Sequence, residues 1–352
     1  MTQHGRRRSD AADTRPDTAS DPDAMLAVVQ HRYGSPDVLT LDRVPKPEPG
    51  PGEVLVQVKA TSVNARDWHI MRGEPRVARF MDPRTFRIRR PRTAIRGTDV
   101  AGIVEAVGAG VTRWQPGDAV FGEGSATFAE YAPAPADALA AIPDGVSVDA
   151  AAALPLAATT ALLCLRAADP QPGASVLING ASGGVGTFAL QLARTMDLRT
   201  TAVVSPRNAD QARRLGADHV IDYTTDDFTR GGHRYDVVVD LVGNRRLRDL
   251  HRIVQPGGAL VLSGGGVSGQ GRIVGPLGLL IRAQIYSRLA KLRILAPLAK
   301  PDPGQLEHLA ELVRTDQLTP IVDRRFPLAT TAAAIRYMET EHTRGKVLIT
   351  TP

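Results

Sequence analysis

The sequence predicts an α/β protein in which a β-rich part is followed by a doubly wound parallel sheet. From Met25 to about Ile142, short apolar runs alternate with turns rich in Pro and Gly, as in an all-β partial barrel. After Pro143 the pattern changes to apolar strands that alternate with helices, which is typical of a parallel sheet covered on both faces. The length agrees with this division, because 352 residues correspond to about two domains.

The β-rich part is predicted from apolar runs that lie between turn signals. Glu53–Ser62 alternates with a period of two, and a Pro-Gly-Asp turn at 116–118 leads into another short run. The predicted strands are Met25–Val29, Glu53–Ser62, Asp99–Val107 and Ala119–Phe121. Residues 1–24 are polar and have no apolar period, so we predict that they form a disordered tail.

The second part is predicted from its regular alternation of strands and helices. Asp149–Ala168 is rich in Ala and Leu and is interpreted as one or two helices. The elements that follow are strand Ser175–Asn179, helix Val185–Met196, strand Arg199–Val204, helix Asn208–Leu215, strand Tyr235–Asp240, helix Leu247–Val254 and strand Ala259–Leu262. Residues 275–298 are interpreted as a loop that ends in a last strand, Leu292–Leu298. A helix near Thr330–Glu341 and a strand at Val347–Ile349 are expected to return to the first part.

The composition excludes several classes of protein. Hydrophobic residues make up 43% and charged residues 23% of the chain, which excludes bulk disorder and a fibrous repeat. No run of about 18 apolar residues exists, so no membrane span is expected, and no signal-peptide core is present. The single cysteine, Cys164, excludes an intrachain disulfide and a zinc site built on several cysteines. A reducing, cytoplasmic location fits these features best.

A glycine-rich loop is the strongest local motif. Residues 179–186 are NGASGGVG, and they follow an apolar strand and open a helix. Dinucleotide-binding loops need this context, because small residues let the backbone approach a diphosphate at the helix N-terminus. A plain glycine-rich turn is the alternative. The candidate cofactor-binding residues are Ser182, Gly183, Gly184, Val185 and Gly186.

The end of the next strand indicates which dinucleotide is bound. Sites for NAD usually have an acid about 20 residues after the loop, where it binds the ribose 2′-hydroxyl. Here the strand ends in VVSPR, with Ser205 and Arg207 and no carboxylate. A hydroxyl and a guanidinium suit a 2′-phosphate, so NADPH is favoured over NADH. The alternative is that both residues only cap the following helix.

Short motifs occur along most of the chain in a fixed order. They are GPGEVLV at 50–56, SVNARD at 62–67, GTDVAG at 97–102, PGD at 116–118, LPLA at 154–157, the glycine loop, LGAD at 215–218 with Asp222-Tyr223, and RGKV at 344–347. With them the chain resembles the medium-chain dehydrogenase/reductase superfamily, in its zinc-free quinone oxidoreductase-like branch, from Met25 to about Thr350. The resemblance implies a GroES-like β partial-barrel catalytic domain (25–150 plus 301–352), a Rossmann domain (151–300) and an active site in the cleft between them.

The resemblance also bears on zinc. Zinc-dependent relatives place their catalytic ligands at positions that match Asn64, Thr98 and Leu156 of this sequence, and these residues do not form a competent zinc-ligand set. A lobe with four cysteines for structural zinc is absent from the sequence too. The resemblance therefore implies hydride transfer without a metal, in which hydrogen bonds or a proton stabilise the developing oxyanion.

Three residues are catalytic candidates through the resemblance. Asn64 matches a pocket Asn that would donate its amide to substrate or cofactor, with a turn-forming Asn as the alternative. His69 stands where relatives often have Tyr and would donate a proton or a hydrogen bond, with a surface or packing His as the alternative. Asp67 matches a common acid of the family that either acts in the site or only orients the loop.

Further cofactor contacts are implied in the same way. Thr160 matches a Thr that contacts nicotinamide, and Tyr223 matches a Tyr at the adenosine phosphate, with a packing Tyr as the alternative. The remaining candidates follow the ends of Rossmann strands or precede the last strand: Val242, Gly243, Ser263, Gly264, His342 and Arg344.

The net charge of +6 is concentrated in one segment. Arg76–Arg96 contains eight arginines and one acid, Asp82, so it carries +7 and the rest of the chain sums to −1. We consider two interpretations: a lid whose apolar residues face the substrate, and a solvated basic loop. Binding of nucleic acid is disfavoured, because the segment has only two Phe as stacking platforms.

The sequence thus predicts an NADPH-dependent, zinc-independent oxidoreductase that acts on a small molecule, a quinone or an α,β-unsaturated carbonyl compound. An enoyl-thioester reductase is one alternative. A non-catalytic protein that binds NADPH or nucleic acid is an alternative of another class. A homodimer is compatible with the sequence.

Overall fold

The computed structural model describes residues 23–83, 85–263 and 275–352, so almost all of the predicted tail 1–24 lies outside the described residues. The strands are β1 (Ala24–Gln30), β2 (Leu39–Pro45), β3 (Glu53–Val63), β4 (Asp99–Val107), β5 (Ala119–Glu123), β6 (Tyr131–Pro135), β7 (Leu139–Ala141), β8 (Ser175–Asn179), β9 (Arg199–Val204), β10 (His219–Asp222), β11 (Tyr235–Asp240), β12 (Val254–Leu262), β13 (Arg293–Leu295), β14 (Val322–Pro327) and β15 (Lys346–Thr350). The α-helices are α1 (Ala65–Arg72), α2 (Ala78–Met81), α3 (Val148–Ala153), α4 (Pro155–Ala168), α5 (Gly184–Thr195), α6 (Ala209–Arg214), α7 (Leu247–Arg252), α8 (Gly275–Ala290), α9 (Pro303–Arg314) and α10 (Thr331–Thr340).

The first part of the chain forms a seven-stranded sheet. Its order is β14-β15-β3-β4-β5-β7, and β6 pairs with the first half of β3 on the same edge as β15. The C-terminal strand β15 pairs antiparallel with β3, with Val347 opposite Val63. The C-terminal segment therefore returns to the GroES-like part, as the sequence predicts. Strands β1 and β2 form a separate antiparallel pair.

The second part is a six-stranded parallel sheet of the Rossmann type. Its order is β10-β9-β8-β11-β12-β13, so the strand order reverses between β8 and β11. Ligands of open parallel sheets bind in the crevice at such a switch point, outside the carboxyl ends of the strands. The fold class predicted from the sequence is confirmed, and the topology places a binding crevice next to the glycine loop.

Apolar residues cover both faces of the parallel sheet because neighbouring side chains of a strand point to opposite faces. In β8, Val176 and Ile178 belong to the core shared with α4 and α5, whereas Leu177 between them belongs to the core on the opposite face. Val237 and Val238 of β11 divide in the same way. Strands buried on both sides must be apolar without interruption, which is why the sequence pattern located them so closely.

Several elements differ from the sequence prediction, among them α8, α9 and β10. Residues 275–290 form helix α8 where a loop was expected, so that interpretation was wrong: the Leu, Arg, Ala and Gln of this segment favour a helix. Helix α9 was missed, although Asp302 caps it by accepting a hydrogen bond from Gln305 N–H, and Pro303 follows at its first position. Strand β10 was missed because its four residues form no buried apolar run. Within the described ranges, no helix has the length and apolar character needed to cross a membrane.

Candidate active site

A cavity of about 470 Å³ lies at the carboxyl ends of β8, β9, β11 and β12. One wall is the glycine loop. The opposite wall comes from the GroES-like part, through Ala65 of α1 and residues 341–343 of the C-terminal segment. The candidate residues that line it are Ser182, Gly183, Gly184, Val185, Gly186, Tyr223, Val242, Ser263 and His342. Gly264 lies outside the described residues. The cavity therefore lies between the two parts of the molecule.

The glycine loop has space for a ligand where the sequence has its central glycines. A Cβ on Gly183 would meet only the Gly180 carbonyl, at 3.6 Å, so this position is open. A Cβ on Gly186 would lie 2.3 Å from the same carbonyl oxygen, so only glycine lets α5 pack so closely against the loop. The first N–H groups of a helix have no partner within the helix. A diphosphate at the N-terminus of α5 would accept them, so the cradle fits a dinucleotide.

The residues directly after β9 include three polar side chains, and none of them is a carboxylate. Arg207 is exposed, and its Nη2 donates to the His342 carbonyl at 2.5 Å. Asn208 Nδ2 donates to Ser205 Oγ at 3.2 Å, and Asn208 also lines the cavity. Its buried Oδ1 has no hydrogen-bond partner among the described residues. Asn208 thus adds an amide to the pair predicted from the sequence.

The loop after β11 is held by a carboxylate that sequence reasoning missed. Asp240 Oδ1 accepts hydrogen bonds from Val242 N–H at 3.1 Å and Gly243 N–H at 3.0 Å. It also accepts one from Asn179 Nδ2 at 2.8 Å, and Asn179 Nδ2 lies 3.1 Å from Asn244 Oδ1. Asp240 therefore fixes the floor of the cavity to the last residue of β8.

A buried polar cluster lies beside the cavity, where β3, β4, β15 and α1 meet. Lys346 Nζ donates to Asn64 Oδ1 at 2.5 Å and lies 3.6 Å from Asp99 Oδ2. Asn64 Nδ2 donates to Asp99 Oδ2 at 2.9 Å, and Ser62 Oγ donates to the same oxygen at 2.5 Å. Lysine only donates and a carboxylate only accepts, so these partners fix the orientation of the Asn64 amide.

This arrangement restricts what Asn64 can offer a ligand. One N–H of its amide is taken by Asp99, and Nδ2 lies 3.4 Å from the Ser62 carbonyl oxygen. A hydrogen bond from Asn64 to a substrate would compete with that carbonyl. The amide thus primarily joins Lys346 to Asp99 within the protein.

Lys346 connects this cluster to the glycine loop. Its side chain is only 3% exposed, and a Cβ on Gly184 would lie 3.0 Å from its Cδ, so the stem runs along the start of α5. Burial lowers the pKa of the Lys346 ammonium, while Asp99 and Asp67 oppose that shift. Sequence reasoning missed Lys346 as a site residue, although RGKV was among the motifs, because nothing in a β-strand sequence shows that a lysine points inward.

Asp67 caps the helix that carries Asn64. Its Oδ2 accepts the backbone N–H of Asn64 at 2.8 Å in a capping box at the start of α1. Burial raises the pKa of the Asp67 carboxyl to about 7, and Asp99 adds to the rise. The hydrogen bond from Asn64 N–H opposes it. This contact fits the loop-orienting role, which is one of the two roles considered for Asp67.

The other candidates lie outside the lining of the cavity. His69 lies in the last turn of α1 with its ring stacked on Trp68, the two centroids 3.7 Å apart. Thr160 Oγ1 donates to the Leu156 carbonyl at 2.6 Å. Arg344 Nε donates to Gln211 Oε1 at 3.2 Å, which ties the C-terminal segment to α6. The structure brings the glycine loop, Tyr223, Val242, Ser263 and His342 together around the cavity. His69, Thr160 and Arg344 do not line it.

Comparison with known proteins decides the family. The model for the alcohol dehydrogenase GroES-like domain matches residues 50–144, and the model described as zinc-binding dehydrogenase matches residues 215–349. The chain is 31% identical to quinone-oxidoreductase QR1, chloroplastic, from Triphysaria versicolor, over 92% of this chain and 98% of that protein. The chain belongs to the medium-chain dehydrogenase/reductase superfamily, in its quinone oxidoreductase-like branch.

Two further similarities agree with this membership. The chain is 30% identical to the NADPH-dependent alkenal/one oxidoreductase, chloroplastic, from Arabidopsis thaliana, over 94% of this chain and 81% of that protein. The structure of the quinone oxidoreductase from Coxiella burnetii superposes with a TM-score of 0.80 at 28% identity, covering 94% of this chain and all of that one. The protein is therefore an oxidoreductase of the medium-chain type.

In this medium-chain reductase, the positions that match zinc ligands in relatives are occupied by an amide, a hydroxyl and an aliphatic residue. Asn64 and the backbone N–H of Leu156 both bond to Asp99, the latter at 3.2 Å. The Thr98 hydroxyl is buried. Across 23–83, 85–263 and 275–352, no group of three or more His, Cys, Asp or Glu side chains is placed to share a metal ion.

Proposed function

We propose that this medium-chain reductase transfers hydride from NADPH to a quinone or to the β-carbon of an α,β-unsaturated carbonyl compound, without zinc. The observation that carries the proposal is the cavity between the two parts, in which the glycine loop faces Ala65 and His342. The named activities of the quinone and alkenal/one oxidoreductase relatives support this substrate class.

The described residues suggest how the cofactor would be held. The backbone at Gly183–Gly186 would bind the diphosphate, since the open side of Gly183 faces the cavity. Ser205, Arg207 and Asn208 would surround the adenosine ribose, where the absence of a carboxylate favours a 2′-phosphate.

Bound NADPH would supply the hydride, and the chain would supply position and electrostatics. The hydrogen bonds of Asp240 to Val242 and Gly243 hold the cavity floor in one conformation. The cluster of Lys346, Asn64 and Asp99 connects the start of α1 to the glycine loop, and so joins the two walls of the cavity. Such preorganisation places the two reacting partners close together before the chemical step.

The test is an NADPH-oxidation assay with a panel of a quinone, a short enone and a crotonyl thioester. We expect turnover of the quinone or the enone. If the protein binds NADPH and remains folded but oxidises it with no member of the panel, the catalytic proposal is wrong. Turnover of the thioester alone would instead favour the enoyl-thioester reductase.

We also propose that the protein forms a homodimer along the β13 edge of the parallel sheet. In the part of the chain that the structure describes, no further strand pairs with β13, and such an edge is a template for another strand. Beside it, Ile285 and Leu289 lie one turn apart on α8 and are strongly exposed, Leu289 at 81%. A second copy would cover both the strand edge and these side chains.

A further inference from the structure

Residues 76–83 and 85–92, called the basic arm below, form a largely exposed segment with hydrogen bonds of its own. Arg79 Nε donates to the Gly73 carbonyl at 2.8 Å, which holds α2 against the end of α1. Phe86 pairs with Pro91 through an isolated antiparallel bridge and is only 7% exposed. The arm is therefore attached at its base and presents the turn between Phe86 and Pro91 outward.

The outer surface of the arm combines apolar and cationic side chains. Phe80, Met81 and Ile88 are 69%, 65% and 56% exposed. Arg79 Nη1 lies 3.4 Å from the Ile88 carbonyl oxygen, so α2 and the outward turn lie side by side. Among the described residues of the arm, the exposed arginines are Arg76, Arg87, Arg89, Arg90 and Arg92.

These exposures argue against a lid whose apolar residues face the substrate. Of the apolar residues Phe80, Met81, Phe86 and Ile88, only Phe86 is buried, and it does not line the cavity. The cavity beside the glycine loop is lined by residues from other segments. Among the described residues, none covers these three exposed apolar side chains, so they are available to a partner.

The charge of the arm selects the kind of partner. Residues 76–96, which include the arm, carry +7 while the rest of the chain sums to −1, so the arm favours an anionic partner. A second copy placed across a two-fold axis would bring two such segments together, which like charges oppose. Nucleic acid would use aromatic stacking platforms, yet Phe80 is the exposed aromatic residue here, and Met81 and Ile88 are aliphatic.

We propose that the basic arm docks the protein on an anionic lipid surface. Lipid phosphates would pair with the exposed arginines, and the side chains of Phe80, Met81 and Ile88 would enter the boundary between headgroups and acyl chains. A fluid surface accepts protruding apolar side chains without a preformed groove. This docking does not depend on the reaction proposed above.

The experiment is co-sedimentation of the full-length protein with vesicles. One set is phosphatidylcholine alone, and the other contains equal parts of phosphatidylcholine and phosphatidylglycerol. We expect binding to the phosphatidylglycerol vesicles only, weakened as salt rises. Replacing Arg87, Arg89 and Arg90 together by Gln should weaken binding about 10- to 100-fold, because each basic residue near an anionic surface contributes to binding. The triple change of Phe80, Met81 and Ile88 to Ser should weaken it as well.

A matched control removes the same charge elsewhere. Arg213, Arg214 and Arg230 are exposed on the Rossmann part, and their joint change to Gln should leave vesicle binding unchanged. Circular dichroism checks that every variant is folded. Equal binding to both vesicle types, or an equal loss in the control, would overturn the proposal. So would intact vesicle binding by the Ser variant with loss of enone turnover, which would indicate a lid.

Discussion

Arg207 stands at the end of β9, where the proposed 2′-phosphate of NADPH would lie. Its guanidinium is exposed and uses Nη2 on the His342 carbonyl, which leaves other N–H groups available to an anion. The side chain is thus held near the C-terminal segment and still offers positive charge at the rim of the cavity.

Reversing this charge should change cofactor preference. We expect Arg207→Glu to weaken NADPH binding by about 10- to 100-fold, since a charge-assisted hydrogen bond contributes about 1.5–3 kcal/mol, and to leave NADH nearly unaffected. Fluorescence titration with both cofactors measures this. Arg213→Glu, at an exposed position on α6, makes the same charge change as a control. An equal loss of NADPH and NADH would refute the phosphate contact.

Asp67 makes the stability of the fold depend on pH. Burial raises the pKa of its carboxyl to about 7, against about 3.9 in an unfolded chain. The folded state therefore binds the proton more tightly, and the favourable contribution of the neutral carboxyl, full below about pH 4, is lost as pH rises through about 7.

Replacing Asp67 by Asn removes this dependence, because an amide can still accept the N–H of Asn64 and never ionises. We expect Asp67→Asn to gain unfolding free energy relative to the wild type as pH is raised from about 5 to about 8, by at most ~1.4 kcal/mol per pH unit. Urea unfolding across this range measures the difference. The change Asp137→Asn at an exposed position should show no such trend; a flat difference for Asp67→Asn as well would contradict the prediction.

At the scale of elements, the junction of β8, the glycine loop and α5 determines both stability and cofactor binding. Two glycines of this junction serve different purposes. Gly186 allows α5 to pack on the Gly180 carbonyl, whereas Gly183 leaves space beside the cavity.

The two purposes can be separated with alanine. We expect Gly186→Ala to lower the unfolding free energy by about 1–3 kcal/mol, because its Cβ would meet backbone at 2.3 Å. Gly183→Ala should cost little stability, since its φ is −78° and its Cβ meets nothing closer than 3.6 Å. It should nevertheless weaken NADPH about tenfold by crowding the diphosphate. Thermal unfolding and cofactor titration are the two measurements; the reverse pattern would show that the roles are misassigned.

On the scale of the whole molecule, the C-terminal segment joins the two parts. Gln191 of α5 exchanges hydrogen bonds with the backbone of Thr319, at 3.0 and 2.7 Å. Gln211 of α6 donates to the Arg344 carbonyl at 3.1 Å. β15 then continues into the sheet of the first part beside β3. The cavity thus lies between two parts that are connected along one side.

The proposed dimer is tested at the same scale. We expect the wild type to be dimeric by light scattering after size exclusion, and Leu289→Glu to be monomeric, because a two-fold axis would bring two buried carboxylates close together. Leu41→Glu, at an exposed position on β2, is the control and should stay dimeric. A monomeric wild type would rule the interface out.

The sequence by itself determined the fold class and the strands that lie inside. Four strands have the bounds predicted from the sequence: β4, β8, β9 and β11. Strands buried in a sheet need apolar residues either in an unbroken run or at every second position. It determined the glycine loop as well, since a close approach of backbone to backbone at Gly186 permits no other residue. These features depend on residues that are close together in the sequence.

Only the tertiary structure decided which polar groups meet. Lys346, Asn64 and Asp99 lie far apart in the chain, and the pairing of β15 and β4 with β3 brings them into one buried cluster. The same folding placed His342 in the cavity and kept Thr160 and His69 out of its lining. Buried polar groups need specific partners, and register and strand order choose those partners. The periodicity of the sequence does not show which polar groups become partners, so the arrangement of the site depends on the tertiary fold.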